Sequence, residues 1–136
     1  MAGYSGTPLA KKLGIAPSMT VTAVGAPDEL REWLAPMPPD VKWIGGKGRL
    51  DLAVMFATRR AEVSRRFPAL ARRVEPAGAI WIAWPKKASG IATDVTENDL
   101  REIILPTGYV DTKVCAISEV WSGLKFVLRR ELRPKP

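Results

Sequence analysis

Two unbroken apolar runs constrain this chain more than any other feature: Asp51-Leu52-Ala53-Val54-Met55-Phe56-Ala57 and Ala79-Ile80-Trp81-Ile82-Ala83-Trp84. Each has strand length and lacks polar alternation, as a strand buried on both faces requires. Between them, from about Arg59 to Val74, apolar residues fall at Val63, Phe67, Leu70 and Val74, all on one helical face. An apolar strand, an amphipathic helix and a second apolar strand form the unit from which parallel sheets are built. Pro68 lies inside the helical stretch and predicts a kink or two abutting helices. Pro76-Ala77-Gly78 reads as the turn into the second strand.

The flanking segments extend the alternation. Residues 1–19 read as an N-terminal arm, with Leu9, Leu13 and Ile15 on one helical turn and Pro17 ending it. Thr20 to Val24 is rich in β-branched residues and predicts a buried strand. Gly25-Ala26-Pro27-Asp28 is a turn that opens a short helix over Glu29–Leu34, since proline suits a first helical turn and acidic residues suit its positive end. Pro36, Pro38 and Pro39 stop that helix. Val41–Ile44 is a short strand and Gly45–Gly48 a loop. Thr96-Glu97-Asn98-Asp99 reads as a capping box opening a helix to about Leu105, with Leu100, Ile103 and Ile104 as its apolar stripe. Pro106-Thr107-Gly108 closes it. Val110–Ile117 and Leu124–Arg130 are joined closely enough to predict an antiparallel hairpin. The order β-α-β-β-α-β-α-β-β predicts one α/β domain over 1–136, with 1–19 as arm and 20–136 as core. Its sheet is mostly parallel, covered by helices on both faces, with an antiparallel hairpin at the C-terminal end.

Composition removes whole classes of chemistry. The chain has 136 residues, no histidine and one cysteine. A Ser-His-Asp or Cys-His nucleophile, a His-ligated zinc and a His-held haem all need a residue that is missing. No metal is expected, and one cysteine forms no internal disulfide. No apolar run approaches the roughly 18 residues of a spanning helix, and the N-terminus lacks a signal-like apolar core, so the expected location is the cytoplasm with no membrane partner. Lys plus Arg is 21 against 14 for Asp plus Glu, a net charge of +7. The basic residues fall in scattered pairs such as Lys11-Lys12, Arg65-Arg66 and Arg129-Arg130, which reads as a solvated surface more than a nucleic-acid face. Arg59, Arg66 and Arg73 recur along one helix edge without interleaved aromatics, which weakens a nucleic-acid reading further.

In a parallel sheet, ligands bind beyond the carboxyl ends of the strands where the strand order reverses. That rule selects Gly25 and Asp28 after the first strand, Thr58 after the long apolar run, and Trp84 with the loop Pro85–Gly90. Lys86, Lys87, Ser89 and backbone near Gly90 would suit a phosphate or carboxylate; against this stands a solvated loop. On strand alternation Trp81 points with Ala79 and Ala83, and Trp84 with Ile80 and Ile82. Trp81 is expected in the core. Trp84 and Trp121, beside loops, offer either core packing or a stacking wall for a flat ligand. Asp94, Thr96 and Asp99 suit capping better than acid–base work, and Cys115 reads as a buried, inert thiol.

The segment Asp51–Trp84, with the Thr96 helix and the terminal hairpin, resembles the Rossmann-like fold of S-adenosylmethionine-dependent methyltransferases. More closely, GYSGTPLAKKLGI (Gly3–Ile15), WPKKASGIATDVTE (Trp84–Glu97) and VDTKVCAISEVWSGLKFVLRR (Val110–Arg130) resemble a bacterial family known as domain of unknown function 3052. The methyltransferase resemblance implies a three-layer Rossmann-like fold and S-adenosylmethionine as cofactor. The residues depart from that pattern in two places. The first turn has a single glycine, Gly25, followed by Pro27, and Ile44-Gly45-Gly46-Lys47 stands where an acidic ribose ligand is usual. The residue-level expectation is therefore no cofactor and a non-catalytic binding or regulatory domain for an anionic small molecule or protein partner. A divergent methyltransferase and a basic nucleic-acid-associated protein are the alternatives.

Overall fold

The computed structural model describes residues 6–134; the remainder of the arm, including Gly3 to Ser5 of the first resembling segment, lies outside them. The elements are α1 (Leu9–Leu13), β1 (Thr20–Val24), α2 (Leu30–Leu34), β2 (Lys42–Trp43), β3 (Leu50–Phe56), α3 (Arg60–Arg73), β4 (Val74–Pro85), α4 (Glu97–Ile104), β5 (Tyr109–Ala116) and β6 (Trp121–Leu128), with three short 3-10 turns. Six strands form one sheet in the order β2-β1-β3-β4-β6-β5. The first four are parallel, and β6 and β5 add antiparallel. This is the mixed α/β, Rossmann-like arrangement that the alternation predicts.

Both apolar runs are buried on two sides, which explains why they lack alternation. On one face Ala53, Met55, Ile80, Ile82 and Trp84 pack with Val63, Phe67 and Leu70 of α3 and Leu100 and Ile104 of α4. On the other face Val54, Phe56, Trp81 and Ala83 pack with Leu9 and Leu13 of α1 and Leu30 and Leu34 of α2. The Trp81 indole N–H donates to the Leu13 carbonyl at 2.8 Å, so the largest core side chain also ties α1 to the sheet.

Two local expectations change. The helix α3 runs unbroken through Pro68 in place of two abutting helices. Pro68 and Ser64, whose carbonyl loses its helical donor, are both exposed, while Val63, Phe67 and Leu70 anchor the two halves to one core. Pro76-Ala77-Gly78 is no free turn but part of β4, where the pairing with β3 jumps from Leu50↔Val74 to Leu52↔Ala79. The extra residues are absorbed as a bulge. A Cβ on Gly78 would sit 2.5 Å from the Asp51 carbonyl oxygen, so only glycine permits that approach. The capping box forms as read: the Thr96 hydroxyl accepts from Asp99 N, and the Asp99 carboxylate accepts from Thr96 N.

Candidate functional site

The chain runs from β1 through α2 to β2 on one side, then returns to place β3 on the other side of β1. That reversal is the position at which open α/β sheets bind ligands. Beside it, at the carboxyl ends of β1 and β2, a cavity of 430 Å³ is lined among others by Thr22, Ala23, Asp28, Arg31, Trp43 and Gly45. Its size falls within the roughly 300–1,000 Å³ of small-molecule pockets.

Each wall has a local cause. Gly25 ends β1 with φ at +67°, and a Cβ there would lie 2.9 Å from the Phe56 carbonyl oxygen. Glycine is therefore required for the chain to leave β1 so close to β3. The buried Thr22 hydroxyl donates to the Ile44 carbonyl at 2.7 Å and pins the exit of β2 against β1. The Arg31 guanidinium lies over the Trp43 ring, 4.4 Å from its centroid, giving a flat surface at the mouth. Among the described residues lining the cavity, Asp28 supplies the carboxylate, exposed on the turn into α2.

The expected site residues separate into three places. Asp28 lines this crevice, and Gly25 ends the strand that leads into it. Thr58 borders a second cavity of 260 Å³ with Arg59, Ala92, Thr93 and Asp94. There its carbonyl accepts from the Thr93 hydroxyl at 2.7 Å, and Asp94 Oδ1 accepts from Arg60 N at 2.8 Å. The loop after β4 has its polar groups engaged. Lys86 Nζ donates to the Ser118 carbonyl at 2.9 Å, and the Ser89 hydroxyl donates to the Lys86 carbonyl at 2.7 Å and accepts from Ile91 N. Lys87 is exposed, and Gly90 closes the short turn with φ at +79°. Lys86 thus braces the loop against the β5–β6 connection, and Ser89 closes the loop's own turn. The paired-tryptophan wall does not form. Trp84 is buried among the α3 and α4 contacts, whereas Trp121 packs edge-on to Phe56 on the opposite face, centroids 5.0 Å apart.

Sequence reasoning missed Thr22, Arg31, Trp43 and Ile44 as crevice residues. Arg31 and Trp43 are far apart in the chain, and only the placement of β2 beside β1 joins them.

No family model matches the chain, and no curated protein matches it in sequence. Solved structures do match in shape. A SAM-dependent methyltransferase from Aquifex aeolicus aligns with TM-score 0.63 at 14% identity, covering 87% of this chain and 86% of that one. Magnesium protoporphyrin IX methyltransferase from Synechocystis PCC 6803, with bound SAM, aligns with TM-score 0.57 at 15% identity, covering 89% and 74%. Precorrin-6y C5,15-methyltransferase from Geobacter metallireducens aligns with TM-score 0.58 at 11% identity, covering 89% and 86%. The fold is that of the SAM-dependent methyltransferases. Two expectations fall on this finding. The neighbours are methyltransferases, one with bound SAM, and they favour the methyltransferase-like alternative over a non-catalytic binding domain and S-adenosylmethionine over no cofactor. The single glycine of the first turn, Gly25, stands where the chain crowds Phe56, and Pro27 lines the cavity that follows.

Proposed function

We propose that the chain is an S-adenosylmethionine-dependent methyltransferase that holds its cofactor in the crevice between β1 and β2. The observation carrying this reading is the 430 Å³ cavity at the carboxyl ends of β1 and β2 in a methyltransferase fold. Its lining suits the cofactor's parts. Trp43 and Ile44 give an apolar wall for a purine. Asp28 gives an acceptor for ribose hydroxyls or for the cofactor's positive charge, in place of an acidic residue at the end of β2. The exposed turn glycines Gly45 and Gly46 have open space where a Cβ would stand and leave the backbone accessible. The cofactor supplies an electrophilic methyl group on a sulfonium. The chain's own residues bind it, orient it and screen its charge. The acceptor side is Thr58, Arg59 and Asp94, at the exit of the neighbouring strand β3. We further infer, from the segments Gly3–Ile15, Trp84–Glu97 and Val110–Arg130, membership in the bacterial family of unknown function 3052 as a single-domain cytoplasmic protein.

The test is a binding comparison. Asp28→Asn removes the crevice carboxylate at an exposed position where folding is not at stake. It should weaken S-adenosylmethionine binding about tenfold, the loss of one charge-assisted hydrogen bond of roughly 1.5 kcal/mol. Unchanged affinity in isothermal titration would remove Asp28 from the site.

A further inference from the structure

At the opposite edge of the sheet from the crevice lies a concentration of positive charge without an ion-pair partner among the described residues. Lys113 on β5 and Lys125 on β6 stand directly opposite each other in the ladder. Like charges in that position destabilise a strand pair. Lys113 Nζ donates to the Lys12 carbonyl at 3.3 Å, and Lys125 Nζ lies 3.8 Å from where a Cβ on Gly14 would sit. Both ammonium groups therefore gather at the C-terminal end of α1, beside Lys11 and Lys12. Elsewhere Arg49 pairs with Glu75, Arg60 with Asp99 and Glu102, and Arg101 with Glu97 and Asp111. Among the described residues none of these four lysines has an ion-pair partner.

These lysines adjoin a cavity of 570 Å³ between α1 and the edge strand β5, lined by Thr7, Lys11, Lys12, Lys113 and Cys115 among others, with no carboxylate in its described lining. It shares no residue with the crevice. The two nearest lysines already act on the thiol there: burial pushes Cys115 up, and Lys113 and then Lys12 pull it down.

We propose that this concavity is a second binding site, for a compact polyphosphate group such as the triphosphate of a nucleotide. Ammonium groups are point-charge phosphate ligands that need no fixed fork geometry. Lys11, Lys12 and Lys113 line one hollow, with Lys125 opposite Lys113 in the ladder, and they do not form a stripe. A nucleic-acid backbone spreads its charges along a track and gains from aromatic stacking, and no aromatic side chain lines this cavity among the described residues. An anion here would also relieve the Lys113–Lys125 repulsion.

Cys115 is the chain's sole cysteine, so its alkylation by iodoacetamide reports on this cavity alone. The full chain is alkylated at constant ionic strength with increasing sodium tripolyphosphate. Saturable, several-fold slowing is expected, and it should disappear in the Lys113→Gln, Lys125→Gln variant. That variant should melt no lower than the parent, because a like-charged pair is removed, so lost protection is not unfolding. Lys11→Gln, Lys12→Gln, on the surface of α1, should weaken protection in the same direction. Three results overturn the site: alkylation indifferent to tripolyphosphate, equal slowing in the Lys113/Lys125 variant, or protection by a short RNA at concentrations where tripolyphosphate has none. S-adenosylmethionine affinity should be unchanged in both variants, which separates this site from the crevice.

Discussion

Gly25 shows how much one residue settles. Its positive φ and the 2.9 Å approach to the Phe56 carbonyl admit no side chain. Gly25→Ala would combine left-handed strain with a clash against backbone, and should lower unfolding stability by about 1–3 kcal/mol. A urea midpoint equal to that of the parent chain would show that the turn relaxes freely. The sequence signals this position as a turn glycine but gives no sign that its neighbour is β3, because that contact joins residues far apart in the chain. The same limit hides Trp43 and Arg31. A tryptophan between Lys42 and Ile44 reads as core, and only its stacking with Arg31 from another element marks it as a crevice wall. The internal partners of Lys86 and Ser89, Ser118 and the loop's own carbonyl, are hidden for the converse reason: they are invisible to local composition.

At the scale of elements, periodicity carried most of the information. Thr20–Val24 and the capped helix at Thr96 lie where β-branching and capping chemistry put them. The exceptions are a proline and a glycine whose local rules were overridden by packing. Pro68 keeps its place in α3 because its lost hydrogen bond faces water, while Phe67 and Leu70 are held in the core. It still removes a donor from a helix interior. Pro68→Ala should therefore stabilise the chain by about 1–3 kcal/mol, less than the full interior penalty because the proline also stiffens the unfolded chain. A lower melting temperature in this variant would mean that Pro68 packs usefully. Gly78 is read as a turn because a bulge in a central strand has the composition of a turn.

For the whole molecule, the fold was legible because a sheet buried on both faces writes itself as long apolar runs. Function was less legible, because the crevice is made by strand order. One detail of the charge does survive from composition to structure. The surplus of +7 is not evenly dispersed: part of it gathers, unpaired, around α1 and the β5–β6 ladder. No helix among the described residues is long and apolar enough to cross a membrane. The central claim is that the crevice between β1 and β2 holds S-adenosylmethionine. Calorimetric titration of the full chain with S-adenosylmethionine tests it most directly. A saturable isotherm with one site per chain, weakened by Asp28→Asn, is the expected result; a flat trace at concentrations up to the millimolar range contradicts it.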